Sequence, residues 1–232
     1  MFSDAITHPT DTQVSTHALA EAATIGGYAP SICNTQPWRW RLTADTLELC
    51  LASEWIMRVT DPEARLATPS CGAALHHAHG ALRAQGWDAW QGELGVWAGG
   101  TRPSGSGVPD AAIPNRATQT TVPGRDFGHY GDLPISAAHD ESAVFVTLYD
   151  PGDDPIDWLR AGEALSACWL TATMRGAAVL PIEVMASRQA IRAMIASVGH
   201  PYLWLRLGRT DPAADPAPQA PRLPAEQTID RA

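Results

Sequence analysis

The sequence predicts an α+β chain with antiparallel-rich sheets flanked by helices and two buried helices at its centre. Three observations carry that reading. Residues 70–85 and 157–176 are small or apolar nearly all round, the pattern of helices enclosed on every side. Trp38-Arg-Trp-Arg-Leu42 and Leu47-Glu-Leu-Cys-Leu51 are short runs that read as the two strands of a hairpin. Hydrophobic residues make up 45% of the 232 positions against 18% charged, enough to bury a sizeable core.

Taken in order, a helix is expected after Ser15-Thr16, either of which can cap it, with Gly26-Gly27 loosening its end. Pro30 and Pro37 then bracket a constrained loop. Ala44-Asp45 turns the chain between the two hairpin strands. The first buried helix follows at about Ser70–Gln85 and stops at Gly86; Trp87 to Trp97 is strand-like. The Gly/Pro/Ser-rich stretch 99–110 is the clearest internal boundary, so the chain divides into 1–110 and 111–232. Val144–Tyr149 reads as a strand, 157–176 as the second buried helix, 187–197 as a further helix and Tyr202–Leu207 as a strand. From Asp211 the chain is Pro/Ala-rich and is expected to extend over a surface.

The two buried helices resemble each other. Residues 70–86 and 160–176 both run Gly-x-Ala-Leu, then a small or apolar stretch, then a basic residue and a closing Gly. That match points to an internal repeat whose two copies pack helix against helix; two Ala-rich helices alike by composition alone is the plainer alternative.

Composition excludes several chemistries. All 16 basic residues are arginine, so a Schiff-base amine, a P-loop lysine and a Ser–Lys nucleophile pair are ruled out. A net charge of −9 argues against nucleic acid and anionic membranes as partners. No apolar run is long enough to span a bilayer, and the first residues lack a signal peptide's basic and apolar regions, so a cytoplasmic protein is expected. Cys33, Cys50, Cys71 and Cys168 show no CxxC spacing and read as buried small hydrophobes. His76, His77 and His79 read as a structural or surface cluster rather than a metal site, and no metal is expected. Asp150–Asp154 reads as an acidic turn.

One stretch is specific. Ala29-Pro-Ser-Ile-Cys-Asn-Thr-Gln-Pro-Trp38 is similar to the APSxxNxQPW signature of the FMN-dependent nitroreductase family. Gly176-Ala-Ala-Val-Leu-Pro-Ile-Glu183 resembles that family's segment after the central helix, and Arg222-Leu-Pro224 resembles its C-terminal arginine element. The Ser70–Leu75 and Arg160–Ser166 phrases are similar to the Acg-type branch, in which one chain holds two nitroreductase-like halves. The resemblance implies a nitroreductase-like fold, a shortened chain for that branch, and a pseudo-dimeric monomer or a homodimer.

It also implies FMN as cofactor and a small-molecule substrate, with NAD(P)H as a possible donor. Hydride would pass by ping-pong through the flavin to an aromatic, quinone or enone acceptor. A flavin-sequestering protein with little NAD(P)H turnover and a biosynthetic tailoring flavoenzyme are the alternatives. The residues that match the family's flavin-binding motifs are Pro30, Ser31, Asn34 and Gln36 from the first half, with Arg116, Thr118, Pro181, Ile182, Glu183 and Arg222 from the second. Arg116 and Arg222 offer planar, permanently charged forks to a flavin phosphate, and the backbone after Pro181 can aim N–H groups at the flavin edge. Trp38 reads as hairpin packing, not flavin stacking. No side chain is singled out as catalytic.

Overall fold

The computed structural model describes residues 15–87, 95–97, 115, 130–132, 143–182, 193, 197–209 and 219–231. Helix α1 (Thr16–Gly26) starts where the sequence placed it: the Ser15 hydroxyl accepts the Ala18 N–H at 3.1 Å, filling one of the donors left open by the first turn. Strands β1 (Trp38–Leu42) and β2 (Leu47–Ala52) form an antiparallel hairpin in the register Trp38↔Leu51 to Leu42↔Leu47. The pleat sends Trp38, Trp40 and Leu42 into the core and leaves Arg41 in solvent. Both indoles are fully buried against the alanines of α1 and of the first central helix, each contributing about 1.5–3 kcal/mol of apolar burial.

The first central helix, α2 (Ala67–Ala84), begins three residues before the expected position. The cap signal lies outside the helical pattern. Asp61, itself buried, bends back to accept the Leu66 N–H at 3.0 and 3.1 Å and the Ala67 N–H at 2.9 Å. Strand β3 (Gly95–Trp97) pairs parallel with β2, and β4 (Val144–Asp150) opens the second sheet. The second central helix, α3 (Pro155–Met174), also starts early, because Pro155 is the favoured first helical residue and the Asp157 carboxylate accepts the Asp154 N–H at 3.1 Å. Gly86 and Gly176 follow the two helices with φ of +84° and +69°, a conformation that suits glycine.

Strands β5 (Ala177–Ile182) and β6 (His200–Arg209) complete an antiparallel three-stranded sheet in the order β4-β6-β5, which packs on α3 through Leu165, Val179, Leu203 and Leu205. A short helix α4 (Ala225–Thr228) and strand β7 (Ile229–Arg231) close the chain. Strand β7 joins the first sheet beside β1 in parallel, giving the order β3-β2-β1-β7. The end of the tail therefore does more than extend over a surface: Arg39 anchors it, donating to the Asp230 carboxylate and to the Gln227 carbonyl at 2.9 Å.

The architecture is thus mixed helix and sheet, with small, largely antiparallel sheets around two packed helices. α2 and α3 meet through glycines. A Cβ added to Gly72 would lie 1.9 Å from the Leu159 carbonyl oxygen, and one added to Gly162 would lie 1.9 Å from the Pro69 carbonyl oxygen. Each glycine lets the partner's backbone approach at the equivalent point. Of the four cysteines only Cys71 is fully buried; Cys33, Cys50 and Cys168 are partly exposed, a correction to the reading of all four as core residues. The helix expected at 187–197 falls mostly outside the described residues.

Candidate functional site

The loop between α1 and β1 is held in a costly shape. Cys33, Asn34 and Gln36 have φ of 48°, 51° and 49°, and none is glycine. Each such residue costs on the order of 1 kcal/mol or more and persists only where its surroundings fix it. Here they do. The Ser31 hydroxyl accepts the Gln36 N–H at 3.0 Å, and Thr35 donates its N–H and hydroxyl to the Ile32 carbonyl at 2.8 and 2.7 Å. The Ile32 N–H donates to Ser70 Oγ of α2 at 3.0 Å, and that hydroxyl donates to the Leu66 carbonyl at 3.0 Å. Pro37 closes the loop, its carbonyl accepting the Ala52 N–H at 3.0 Å.

The C-terminal segment lies across this loop. Asn34 donates from Nδ2 to the Pro221 carbonyl at 2.9 Å and accepts from Arg222 Nη1 at 2.8 Å. Gln36 accepts the Leu223 N–H through Oε1 at 2.8 Å. Arg222 also donates from Nη2 to the Tyr28 carbonyl at 3.2 Å. Asn34 and Gln36 are buried, so these bonds are shielded from water.

Arg222 is electrostatically unusual for so acidic a chain. Arg39, Arg41, Arg65 and Arg160 each pair with a carboxylate. Arg222 is partly buried, and among the described residues its partners are neutral oxygens only. Burial pushes its pKa down, with Tyr28 the opposing influence. A guanidinium remains charged under such a shift, so this is a positive charge without a counter-ion among the described residues, oriented by Asn34 and Tyr28.

Beside it, α2 and α3 share a polar contact. His76 Nδ1 and His77 Nδ1 each lie 2.9 Å from the fully buried Ser166 Oγ, and His77 Nδ1 is 3.0 Å from the Ala73 carbonyl. Helical spacing puts His76 and His77 on different faces, yet both reach Ser166 because the glycine contact brings α3 so close. His79 instead faces Glu163 at 3.8 Å. Among the described residues no group of three or more side chains could hold a metal ion.

The structure therefore gathers Pro30, Ser31, Asn34, Gln36 and Arg222 in one place. Pro181 and Ile182 lie at the end of β5, paired with Leu205 and Trp204. Arg116, Thr118 and Glu183 lie outside the described residues. Sequence reasoning did not find the Tyr28 carbonyl, Ser70 or His77 as neighbours of the site. The first two act through backbone or local bonds that leave no pattern, and His77 was signalled only by the histidine cluster.

An FMN phosphate is a dianion, and the donor set at Arg222 fits that end of the molecule. Asn34 and Gln36 serve a different purpose in this arrangement: their amides fix the segment that carries Arg222.

No family model matches the chain. Named proteins of Mycobacterium tuberculosis strain H37Rv do resemble it. A provisionally named NAD(P)H nitroreductase, Rv3131, is 28% identical over 308 aligned positions, covering 89% of each chain. A second, provisionally named NAD(P)H nitroreductase acg, is 24% identical over 324 positions, covering 94% of this chain and 97% of its own. Both alignments are longer than the 232-residue chain, so part of each relative faces gaps here. The uncharacterized protein Rv3127 is 37% identical over 131 positions, or 53% of this chain and 38% of that one. The class these relatives define is that of the nitroreductases, and the chain is similar to it over most of its length. The likeness extends to its Acg-type members. Among the described residues no helix is long and apolar enough to cross a membrane.

Proposed function

We propose that the chain is an FMN-binding oxidoreductase in which Arg222 receives the flavin phosphate. The observation that carries this reading is the partly buried Arg222 guanidinium, which has only neutral partners among the described residues. Its position matches the arginine that the family resemblance assigns to the phosphate. Bound flavin supplies hydride chemistry, taking hydride from NAD(P)H and passing it by ping-pong to a small aromatic, quinone or enone acceptor. The chain's own residues bind and orient. Asn34 and Tyr28 set the direction of the Arg222 fork, Gln36 fixes the backbone just after it, and the strained loop from Pro30 to Gln36 forms the adjoining wall. Arg116, Thr118, Pro181, Ile182 and Glu183 complete the site in this reading, which places a single flavin between the two halves, 1–110 and 111–232.

Flavin titration followed by fluorescence quenching tests it. Arg222→Ala is expected to weaken FMN binding by about 1.5–3 kcal/mol, the range for hydrogen bonds to a charged group, while riboflavin binding changes little. Equal FMN affinity in both proteins would remove Arg222 from the phosphate. A second reading, a flavin-binding protein with little NAD(P)H turnover, is favoured by one feature: Asn34 and Gln36 spend their amides on residues 221–223. Stopped-flow reduction separates the two, since rapid bleaching by a pyridine nucleotide supports the oxidoreductase and its absence with FMN still bound supports the second.

A further inference from the structure

His77 lies on the side of α2 that faces the loop and the end of α1. The loop is anchored at Ser70 of α2, and His77 is seven residues further on, which returns to the same helical face. The end of α1 touches that face one turn before His77: a Cβ on Gly26 would lie 3.1 Å from the Ala74 carbonyl oxygen. Two residues beyond Gly26, the Tyr28 carbonyl holds Arg222. His77 and Arg222 thus approach the same region from α2 and from the C-terminal segment, near enough for the guanidinium to act on the imidazole.

The imidazole is oriented in advance. The Ala73 carbonyl can only accept, so Nδ1 of His77 carries hydrogen and the lone pair of the neutral ring is on Nε2. Among the described residues Nε2 makes no hydrogen bond. Among the described residues the titratable and charged groups facing His77 are His76 on its own helix and Arg222 on the C-terminal segment; α3 presents the uncharged Ser166, and Glu163 of that helix faces His79. Burial, then the charges of His76 and Arg222, hold the imidazole below its usual pKa, with the Ala73 bond opposing.

We propose that His77 and Arg222 form a two-point receptor for a phosphate-like dianion, and that His77 takes up a proton when the dianion binds. An anion on Arg222 cancels the repulsion that the guanidinium exerts on an imidazolium and adds an attraction of its own. Proton binding and anion binding therefore favour each other, and by linkage the coupling is the same in both directions. The sign is fixed: a non-titrating dianion binds more tightly as pH falls through the His77 range. This assignment rests on reading Arg222 as the anion-binding group, and it identifies the ligand chemistry as a phosphate monoester or free phosphate.

The test follows the His77 ring C–H resonance by NMR from about pH 5 to about pH 8, the range in which histidine titrates. His77→Asn, which retains an N–H near the Nδ1 position, assigns the signal. Sulfate is the first probe because it does not titrate there, whereas a phosphate monoester changes charge near pH 6. Saturating sulfate is expected to raise the His77 midpoint by roughly one unit, equivalent to about tenfold tighter sulfate binding to the protonated form. FMN should raise it likewise, riboflavin should not, and Arg222→Ala should abolish the response. If FMN binds while neither FMN nor sulfate moves the His77 midpoint, the receptor is overturned and the flavin reading stands. If sulfate moves it but FMN does not bind, the receptor stands and the flavin reading fails. If neither ligand binds, both fail.

Discussion

Gly72 and Gly162 occupy reciprocal positions in the contact between α2 and α3, each missing a side chain where the other helix passes. Gly72 meets the carbonyl of Leu159, three residues before Gly162, and Gly162 meets the carbonyl of Pro69, three residues before Gly72. Four residues beyond each glycine stand His76 and Ser166, hydrogen-bonded to one another at 2.9 Å. The two helices thus cross around an approximate two-fold axis. An exchange of this kind is what a repeated helix packing on its own copy would produce, and it supports reading the chain as two related halves.

That contact makes a sharp stability prediction. Alanine at Gly72 or Gly162 would set a methyl group against a backbone carbonyl, which cannot rotate away as a side chain can, so the helices must separate. Each substitution is expected to destabilise by about 3 kcal/mol, the upper end of the range for overpacking. Gly80 of α2 is the control, because a Cβ there meets nothing within 4 Å and alanine is the better helix former. Gly80→Ala is expected to stabilise by about 0.5–1 kcal/mol. Urea unfolding of the three variants decides; a uniform response to all three would show that the close approach is absent in solution.

A second contact, between the residues that precede α2 and those that precede α3, is ionic and should respond to acid. Arg65 precedes α2, lies 4.5 Å over the Trp158 ring and donates to Asp153, which also accepts from Trp158 Nε1 at 3.1 Å. The Arg65 hydrogen bond, with help from Trp158 and His200, holds the Asp153 carboxyl below its usual range against a smaller opposing effect of burial. A carboxylate with a depressed folded pKa stabilises the protein above its unfolded pKa of about 3.9 and loses that contribution as pH falls through the folded value. Asp153→Asn is therefore expected to be less stable than the parent by about 1 kcal/mol at neutral pH, a partly exposed pair being worth no more. The difference should shrink below about pH 4. Denaturant midpoints measured from pH 7 downward check this, and a gap that stays constant would place the effect in packing.

Much of this was legible because it rests on local chemistry. The alternation of Trp38, Arg39, Trp40 and Arg41 gave the hairpin, Ser15 gave a cap, and Gly86 and Gly176 marked the helix ends through a backbone conformation that glycine adopts readily. The starts of α2 and α3 were misplaced because their caps act from outside the apolar pattern, Asp61 across several residues and Asp154 just before a proline. Asn34, Gln36 and Arg222 were singled out as candidates by their motifs, but their mutual bonds span nearly the whole chain and no periodicity encodes them. The role of residues 225–231 was hidden for the same reason: three residues become a strand only because β1 offers an open edge and Arg39 a grip.

Gln36 carries the last prediction, because it joins stability to binding without being required to touch a ligand. Its Oε1 accepts the Leu223 N–H at 2.8 Å, and both residues are buried. Gln36→Ala strands that N–H away from water, at a cost of about 1–3 kcal/mol for an unsatisfied buried donor. The cost can be relieved locally, by lifting residues 221–223 from the loop, more readily than by unfolding the chain. Amide hydrogen exchange in 219–231 should therefore quicken while the amides of α2 and α3 keep their protection. Arg222 lies between Pro221 and Leu223, so freeing the segment also frees its guanidinium, and FMN affinity should fall with Arg222 intact. Unchanged exchange in 219–231, or faster exchange throughout α2 and α3, would assign Gln36 to the core and not to the positioning of Arg222.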